Sequence, residues 1–248
     1  GKDYIIPKPF DPRLISTVPV AVAKAAIDSG VASISIENWD KYSRDLDKRK
    51  GNDDRIIRLI RAKAKLDPKK IIYTEADRLD VLKAAQIVYE EGIAEPILMG
   101  RVDRIKKLMN EIDFKHKLKI IDLSLDKSKN KIKRFGKIFF RQRKDKGLTL
   151  SQAVKLLRTR DYFASMMVKL GEADALVSGY SRSYPEVIKP VLKVIGKGKG
   201  VRKIAATNLM LTSKGPIFLS DTSININPSY NELAYISIMT ANTAKMFG

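Results

Sequence analysis

Two short segments carry side chains suited to holding a small anionic substrate. The first is Val177-Ser178-Gly179-Tyr180-Ser181-Arg182-Ser183-Tyr184, which supplies several hydroxyls and one glycine. Glycine lets backbone approach a ligand closely, and a helix starting near Ser183 would aim unpaired N–H groups at an anion. The same residues also suit an ordinary βα loop closed by a serine cap, and both readings stand. The second segment is Asp221-Thr222-Ser223-Ile224-Asn225-Ile226-Asn227-Pro228. Asp221 there is either a base or a structural acceptor, and turn and cap chemistry accounts for most of its neighbours. A third stretch, Gly196-Lys197-Gly198-Lys199-Gly200, imitates a phosphate loop. It fits neither G-x-G-x-x-G nor the Walker pattern, and a strand follows it, so it reads as a mobile loop. His116 is the sole histidine, which rules out a Ser-His-Asp triad or a histidine metal cluster. No carboxylate spacing points to Mg²⁺.

Charge raises a second question. Over 248 residues, 48 Lys and Arg face 28 Asp and Glu, a net +20. The densest stretch runs from Lys127 to Lys146, with Phe135, Phe139 and Phe140 among the cations. It reads either as a phosphate-holding surface or as a solvated lysine-rich face, and charge blocks are more often the latter. No nucleic-acid motif accompanies it. Zero cysteines exclude disulfides and thiolate chemistry and fit a cytoplasmic protein. No apolar run reaches the roughly 20 residues of a membrane span. The longest, Val18 to Ile27, is broken by Pro19 and Lys24. No signal peptide is visible.

The elements that would position these residues alternate as α/β. Tyr4-Ile5-Ile6-Pro7 reads as strand-like, and Ser16 to Pro19 opens a helix that Gly30 closes. Residues 40–66 read as a charged linker ending in an amphipathic helix, broken at Leu66-Asp67-Pro68. Strands are expected at Lys70–Tyr73, Pro96–Gly100, Lys119–Leu123 and Ala175–Val177, the last buried, with a pair at Ile204–Met210 and Pro216–Leu219. Helices are expected at Arg78–Gly92, from an Asp103 cap through Met109, from a Thr149–Gln152 capping box through Arg158, and at Tyr162–Leu170. Two more follow, at Pro185–Ile195 with Pro190 as a kink or late start, and from a Ser229–Glu232 box to Phe247. The fold class is α/β, with mainly parallel sheets flanked by helices. The start at Gly1 and the stop at Gly248, directly after a helix, give the expectation that both ends are cut.

Family signatures now appear. The stretch Gly1 to Ile15, followed by Ala21-Val22-Ala23 and Ala25 to Ala32, resembles the end of the malic-enzyme NAD(P)-binding domain. Residues 67–248 resemble the first part of the phosphate acetyltransferase family. The matching strings are Lys83-Ala84-Ala85, Pro96 to Arg101, Arg143 to Gly147, Tyr162 to Gly171, Ala173 to Gly179 and Asn225 to Pro228. Both families in this order give the layout of the hybrid malic enzymes. The resemblance implies residues 1–39 as the end of the NAD(P)-binding domain, 40–66 as a helical linker and 67–248 as a two-lobed, isocitrate dehydrogenase-like phosphotransacetylase domain, truncated.

For the whole protein it implies oxidative decarboxylation of malate to pyruvate with NADP or NAD and Mg²⁺ or Mn²⁺, in a homo-oligomer without nucleic-acid or membrane partners. In true phosphate acetyltransferases arginines neutralise phosphate while an acetyl group passes between CoA and phosphate. Arg143 matches one family arginine, whereas the arginine that contacts acetyl phosphate aligns with Lys189, which keeps charge but loses the bidentate fork. The family's C-terminal Ser-Arg and Asp lie beyond Gly248. The implied role is therefore an acetyl-CoA-sensing regulatory domain with no catalytic residue assigned in this stretch. Candidate contacts for acetyl-CoA or acetyl phosphate are Arg143, Lys146, Ser178, Gly179, Ser183, Lys189, Asp221 and Asn225. The alternatives are an active phosphate acetyltransferase and a basic nucleic-acid-binding protein.

Overall fold

The computed structural model describes residues 14–48, 55–198, 200–212 and 215–247. The strand-like Tyr4–Pro7 stretch, Lys199 and Gly248 lie outside the described residues. The chain forms two compact units, Arg61–Arg202 and the combination of Gly1–Ile60 with Lys203–Gly248.

In the discontinuous unit, α1 (Leu14–Asp28) packs on α2 (Trp39–Lys48). Lys24 Nζ sits 5.2 Å from the Trp39 ring centroid, a cation–π contact. The first helix begins before the expected Ser16 start, with Leu14 and Ile15 half-buried, so Pro19 falls inside it and costs the bond that Ile15 would have accepted. Gly30, at φ 74°, closes it in the left-handed conformation. The linker expected to hold one helix holds two, α2 and α3 (Arg55–Leu66). Apolar Leu46 and Ile56 are buried despite the surrounding charge.

The Arg61–Arg202 unit carries the parallel sheet. Its elements are β1 (Lys69–Tyr73), α4 (Leu79–Glu90), β2 (Ala94–Met99), α5 (Val102–Glu111), β3 (Lys119–Ile121), α6 (Asp126–Arg143), α7 (Leu150–Leu156), α8 (Arg160–Lys169), β4 (Ala175–Val177) and α9 (Tyr184–Val194). Strand order is β3-β2-β1-β4, with Ile72 opposite Ile97 on one side and Leu176 on the other. Winding proceeds outward from β1 to β3, then reverses to place β4 beside β1. That reversal creates a switch point at the carboxyl ends of β1 and β4, where open α/β sheets bind ligands.

Period-two alternation divides the core. Ile72, Ile97 and Met99 point to one face, where Phe135 and Phe139 of α6 and Phe163, Met166 and Met167 of α8 are buried. Tyr73 and Leu98 point to the other, under Leu82 and Ala85 of α4 and Ile105 and Met109 of α5. The basic stretch forms the 18-residue α6, which was not anticipated as a helix. Phe135 and Phe139, four residues apart, bury one stripe worth about 1.5–3 kcal/mol each, while most of the cations stay in water. Lys131 and Arg134 pair with Glu172, the latter at 2.6 Å.

Several local expectations change in three dimensions. The strand at Ala175–Val177 is the sheet's edge, and Ala175 and Val177 are exposed rather than buried. Asp103 lies in the first turn of α5, paired with Arg101, and Arg101 holds the cap position. The Thr149–Gln152 capping box forms as expected, but its helix ends at Leu156. Pro190 is buried inside α9, so it does not mark a late start.

In the discontinuous unit, β5 (Thr207–Thr212) and β6 (Gly215–Ser220) pair antiparallel, and Phe218 meets Phe247 of α10 (Tyr230–Phe247) at 5.3 Å between ring centroids. Ser229 N–H donates to Glu232 at the start of α10, 2.9 Å. Among the described residues no helix is long and apolar enough to cross a membrane.

Candidate functional site

At the switch point the loop after β4 meets the loop after β1. Glu75 Oε2 accepts the Tyr180 N–H at 2.9 Å and the Gly179 and Ser181 N–H groups at 3.3 and 3.4 Å, and Ser181 Oγ donates to Oε1. Burial raises the cost of that charge, yet the Ser181 hydroxyl and the three amides hold the Glu75 carboxyl below its ordinary range. The loop amides of Gly179, Tyr180 and Ser181 are thus occupied by the protein's own carboxylate, and at the helix start, where open N–H groups were expected, the Ser183 N–H donates to Glu186 at 3.0 Å. Ser178 Oγ accepts from Thr74 Oγ1 at 2.8 Å and donates to Asp161 Oδ1 at 2.7 Å. Asp161 is only 1% exposed and also pairs with Arg182. Arg160 grips Asp77 with two 2.7 Å bonds and donates to the Thr74 carbonyl. Against its burial, the Arg160 guanidinium keeps Asp77 below the usual carboxylate range. Ser178 and Gly179 line a cavity of about 310 Å³ with Tyr73, Glu75 and Asp80.

A larger cavity, about 640 Å³, lies by α6, α7 and α9. Arg143, Lys146, Lys155 and Lys193 line it together with Phe139, Leu148, Leu156, Gln152 and Thr159, so it holds four cations, an apolar floor and no carboxylate. The capping box that starts α7 and the close packing of α7 on α6 set its walls. Arg143 is also engaged in structure. Its Nε and Nη2 donate to the Lys193 carbonyl at 3.0 and 2.8 Å, closing the end of α9, where Lys169 Nζ donates to Val194 O at 2.7 Å. Cations at a helix C-terminus satisfy its orphan carbonyls.

The proposed contacts therefore separate. Arg143 and Lys146 share the large cavity; Ser178 and Gly179 share the smaller one, and the two have no lining residue in common. The larger draws Phe139, Leu148 and Leu156 from the core on one face of the sheet, the smaller Tyr73 and Val81 from the other. Ser183 is consumed in a reciprocal capping box with Glu186 that starts α9. Lys189 is exposed on α9, one turn before Lys193. Asp221 and Asn225 belong to the discontinuous unit. There Asp221 accepts the N–H groups of Ala206 (2.9 Å), Ser223 (3.2 Å) and Asn225 (2.8 Å), while Asn225 Nδ2 bonds both Asp221 and the Ile204 carbonyl. Burial opposes the charge, but these bonds hold the Asp221 carboxyl far below its ordinary value, the signature of a structural acceptor.

Lys155, Lys193, Glu75, Asp77, Arg160 and Asp161 were missed as site residues. Glu75 and Asp77 directly follow β1, so the carboxyl-end rule applied to that strand would have found them. Lys193 follows Lys189 by one helical turn. For the others no local signal exists.

Comparison with known proteins bears on this geometry. An NADP-dependent malic enzyme of Haemophilus influenzae is 37% identical over 253 residues, covering 100% of this chain and 33% of the relative. A phosphate acetyltransferase of Thermoanaerobacterium thermosaccharolyticum is 34% identical over 196 residues, covering 77% of this chain and 58% of the relative. A phosphotransacetylase structure from Streptococcus pyogenes superposes with a TM-score of 0.70 at 31% identity, covering 79% of this chain and 59% of that one. The chain thus spans about a third of the length of the malic enzyme it matches. The family model for phosphate acetyl/butaryl transferase matches residues 55–248, most of the chain. With that match, the parallel sheet and the phosphotransacetylase likeness, the chain belongs to the phosphate acetyl/butaryl transferase family.

Proposed function

We propose that this chain is the acetyl-CoA-sensing portion of a malic enzyme. The observation that carries the reading is the extent of the match. Similarity to the malic enzyme runs over the whole chain, whereas the acetyltransferase match begins only at residue 55. On this reading residues 1–39 are the end of an NAD(P)-binding domain, 40–66 a linker and 67–248 the transferase-like domain, in a homo-oligomeric enzyme that converts malate to pyruvate. The nicotinamide dinucleotide and the Mg²⁺ or Mn²⁺ belong to the rest of that protein. Among the described residues no three His, Asp or Glu side chains are grouped to hold a metal. The effector site is the 640 Å³ cavity, because acetyl-CoA carries several phosphates and needs cations without competing carboxylates. The switch-point loop suits an anion less well, since Glu75 fills it.

The test uses the full-length enzyme. Lys146 and Lys155 carry no ion pair among the described residues, whereas Arg143 also closes α9, so the lysines are the cleaner probes. Lys146→Gln with Lys155→Gln should weaken acetyl-CoA inhibition several-fold and leave uninhibited malate turnover unchanged. Full sensitivity in the double variant removes the site; an indifferent wild type removes the sensor reading. Family membership favours a second reading, an active phosphate acetyltransferase. Acetyl phosphate formation from acetyl-CoA by the full-length protein, abolished by Lys189→Ala, would establish it instead.

A further inference from the structure

A third cavity, about 330 Å³, lies just past the carboxyl end of β3, between the first half of α6 and the end of α7. Leu123, Ile132 and Val154 give it an apolar floor, and Lys129, Lys133 and Arg158 give it three cations. Lys129 and Lys133 are four residues apart on α6, so they share one face of that helix. Its shape is built rather than incidental. Gly136, one turn beyond Ile132, lets α6 approach Val154 so closely that a Cβ there would stand 2.6 Å from Val154 Cγ2. Polar neighbours are already committed. Ser124 donates to Asp122 at 2.6 Å, and Lys129 meets Asp126 at 2.7 Å on the exposed side. Lys133 and Arg158 have no ion pair among the described residues. Lys133 and Arg158, facing one concavity, repel each other unless a counter-charge sits between them, and Lys129 can turn from exposed Asp126 to join it.

We infer that this groove is a second anion site, distinct from the large cavity, that takes a small organic phosphate. The dianion meets Arg158, Lys133 and Lys129, and the ligand's apolar group lies on Leu123, Ile132 and Val154. A guanidinium beside two ammonium groups favours phosphate over a monoanion, and the floor favours a phosphate ester over the free ion.

The probes are phenyl phosphate and inorganic phosphate, titrated calorimetrically into the chain. Phenyl phosphate should bind saturably and several-fold more tightly than inorganic phosphate. Arg158→Gln and Lys133→Gln should each weaken it about tenfold, the size of one charge-assisted hydrogen bond. Arg158→Lys should recover part of the loss, and Lys155→Gln, in the large cavity, should change nothing. Circular dichroism checks that each variant folds. Absence of saturable binding, equal binding of the two probes, or a loss that follows Lys155→Gln instead of Arg158→Gln overturns the assignment.

Discussion

Replacing Gly136 by alanine sets two well-known effects against each other. An alanine in a helix interior is favoured over glycine by about 1 kcal/mol, so propensity alone predicts a more stable protein. The structure predicts the reverse. The new Cβ would lie 2.6 Å from Val154 Cγ2 and 3.1 and 3.3 Å from the Val154 backbone Cα and N. Valine has little χ1 freedom with which to swing its methyl aside, and the backbone atoms cannot move without shifting α7. Overpacking of this kind costs about 1–3 kcal/mol, enough to exceed the propensity gain. A net loss near 1 kcal/mol lowers Tm by about 2–4 °C for a chain of this size. The assay is a double-mutant cycle in thermal or urea unfolding. Val154→Ala removes the nearest methyl, so Gly136→Ala should cost less in that background, with a coupling of order 1 kcal/mol. A rise in Tm for Gly136→Ala alone, or a coupling near zero, refutes the close-packing argument and with it the built shape of the groove.

Four further outcomes follow from the described contacts. Ser165 is fully buried in α8 and its hydroxyl has no partner among the described residues. Ser165→Ala should therefore be neutral or raise stability by up to about 1 kcal/mol, and a clear drop in unfolding midpoint would mean the hydroxyl is satisfied. Glu75→Gln should speed hydrogen exchange at the Gly179, Tyr180 and Ser181 amides by about tenfold, because a neutral amide accepts more weakly. Because folding lowers the Glu75 carboxyl pKa, its stabilisation is complete above the unfolded value near 4.3 and fades as pH falls through the folded one; exchange at these amides that ignores acidification would contradict this. Asp221→Asn should destabilise the β5–β6 unit by about 1–3 kcal/mol at neutral pH, read from its unfolding midpoint, with the deficit shrinking in strong acid where the wild-type carboxyl is also protonated.

Residue order alone determined the parts of this protein whose physics is local. The capping box at Thr149, the Ser229 N–H bond to Glu232 that opens α10, the glycine closing α1 and the apolar runs of β1 and β2 depend on neighbours within a few positions, and each appears where its pattern places it. The family resemblance rests on ordered strings of the same kind. The tertiary structure decided everything that depends on partners far along the chain. Whether Ala175–Val177 is interior or edge depends on strand order, which its own residues do not encode. Glu75 takes the amides of residues more than 100 positions away, and Arg143 closes a helix 50 positions away. A hydroxyl-rich loop therefore reads in isolation as an open anion site, and a matching arginine as a free cation. A donor's availability is set by whichever acceptor folding brings beside it.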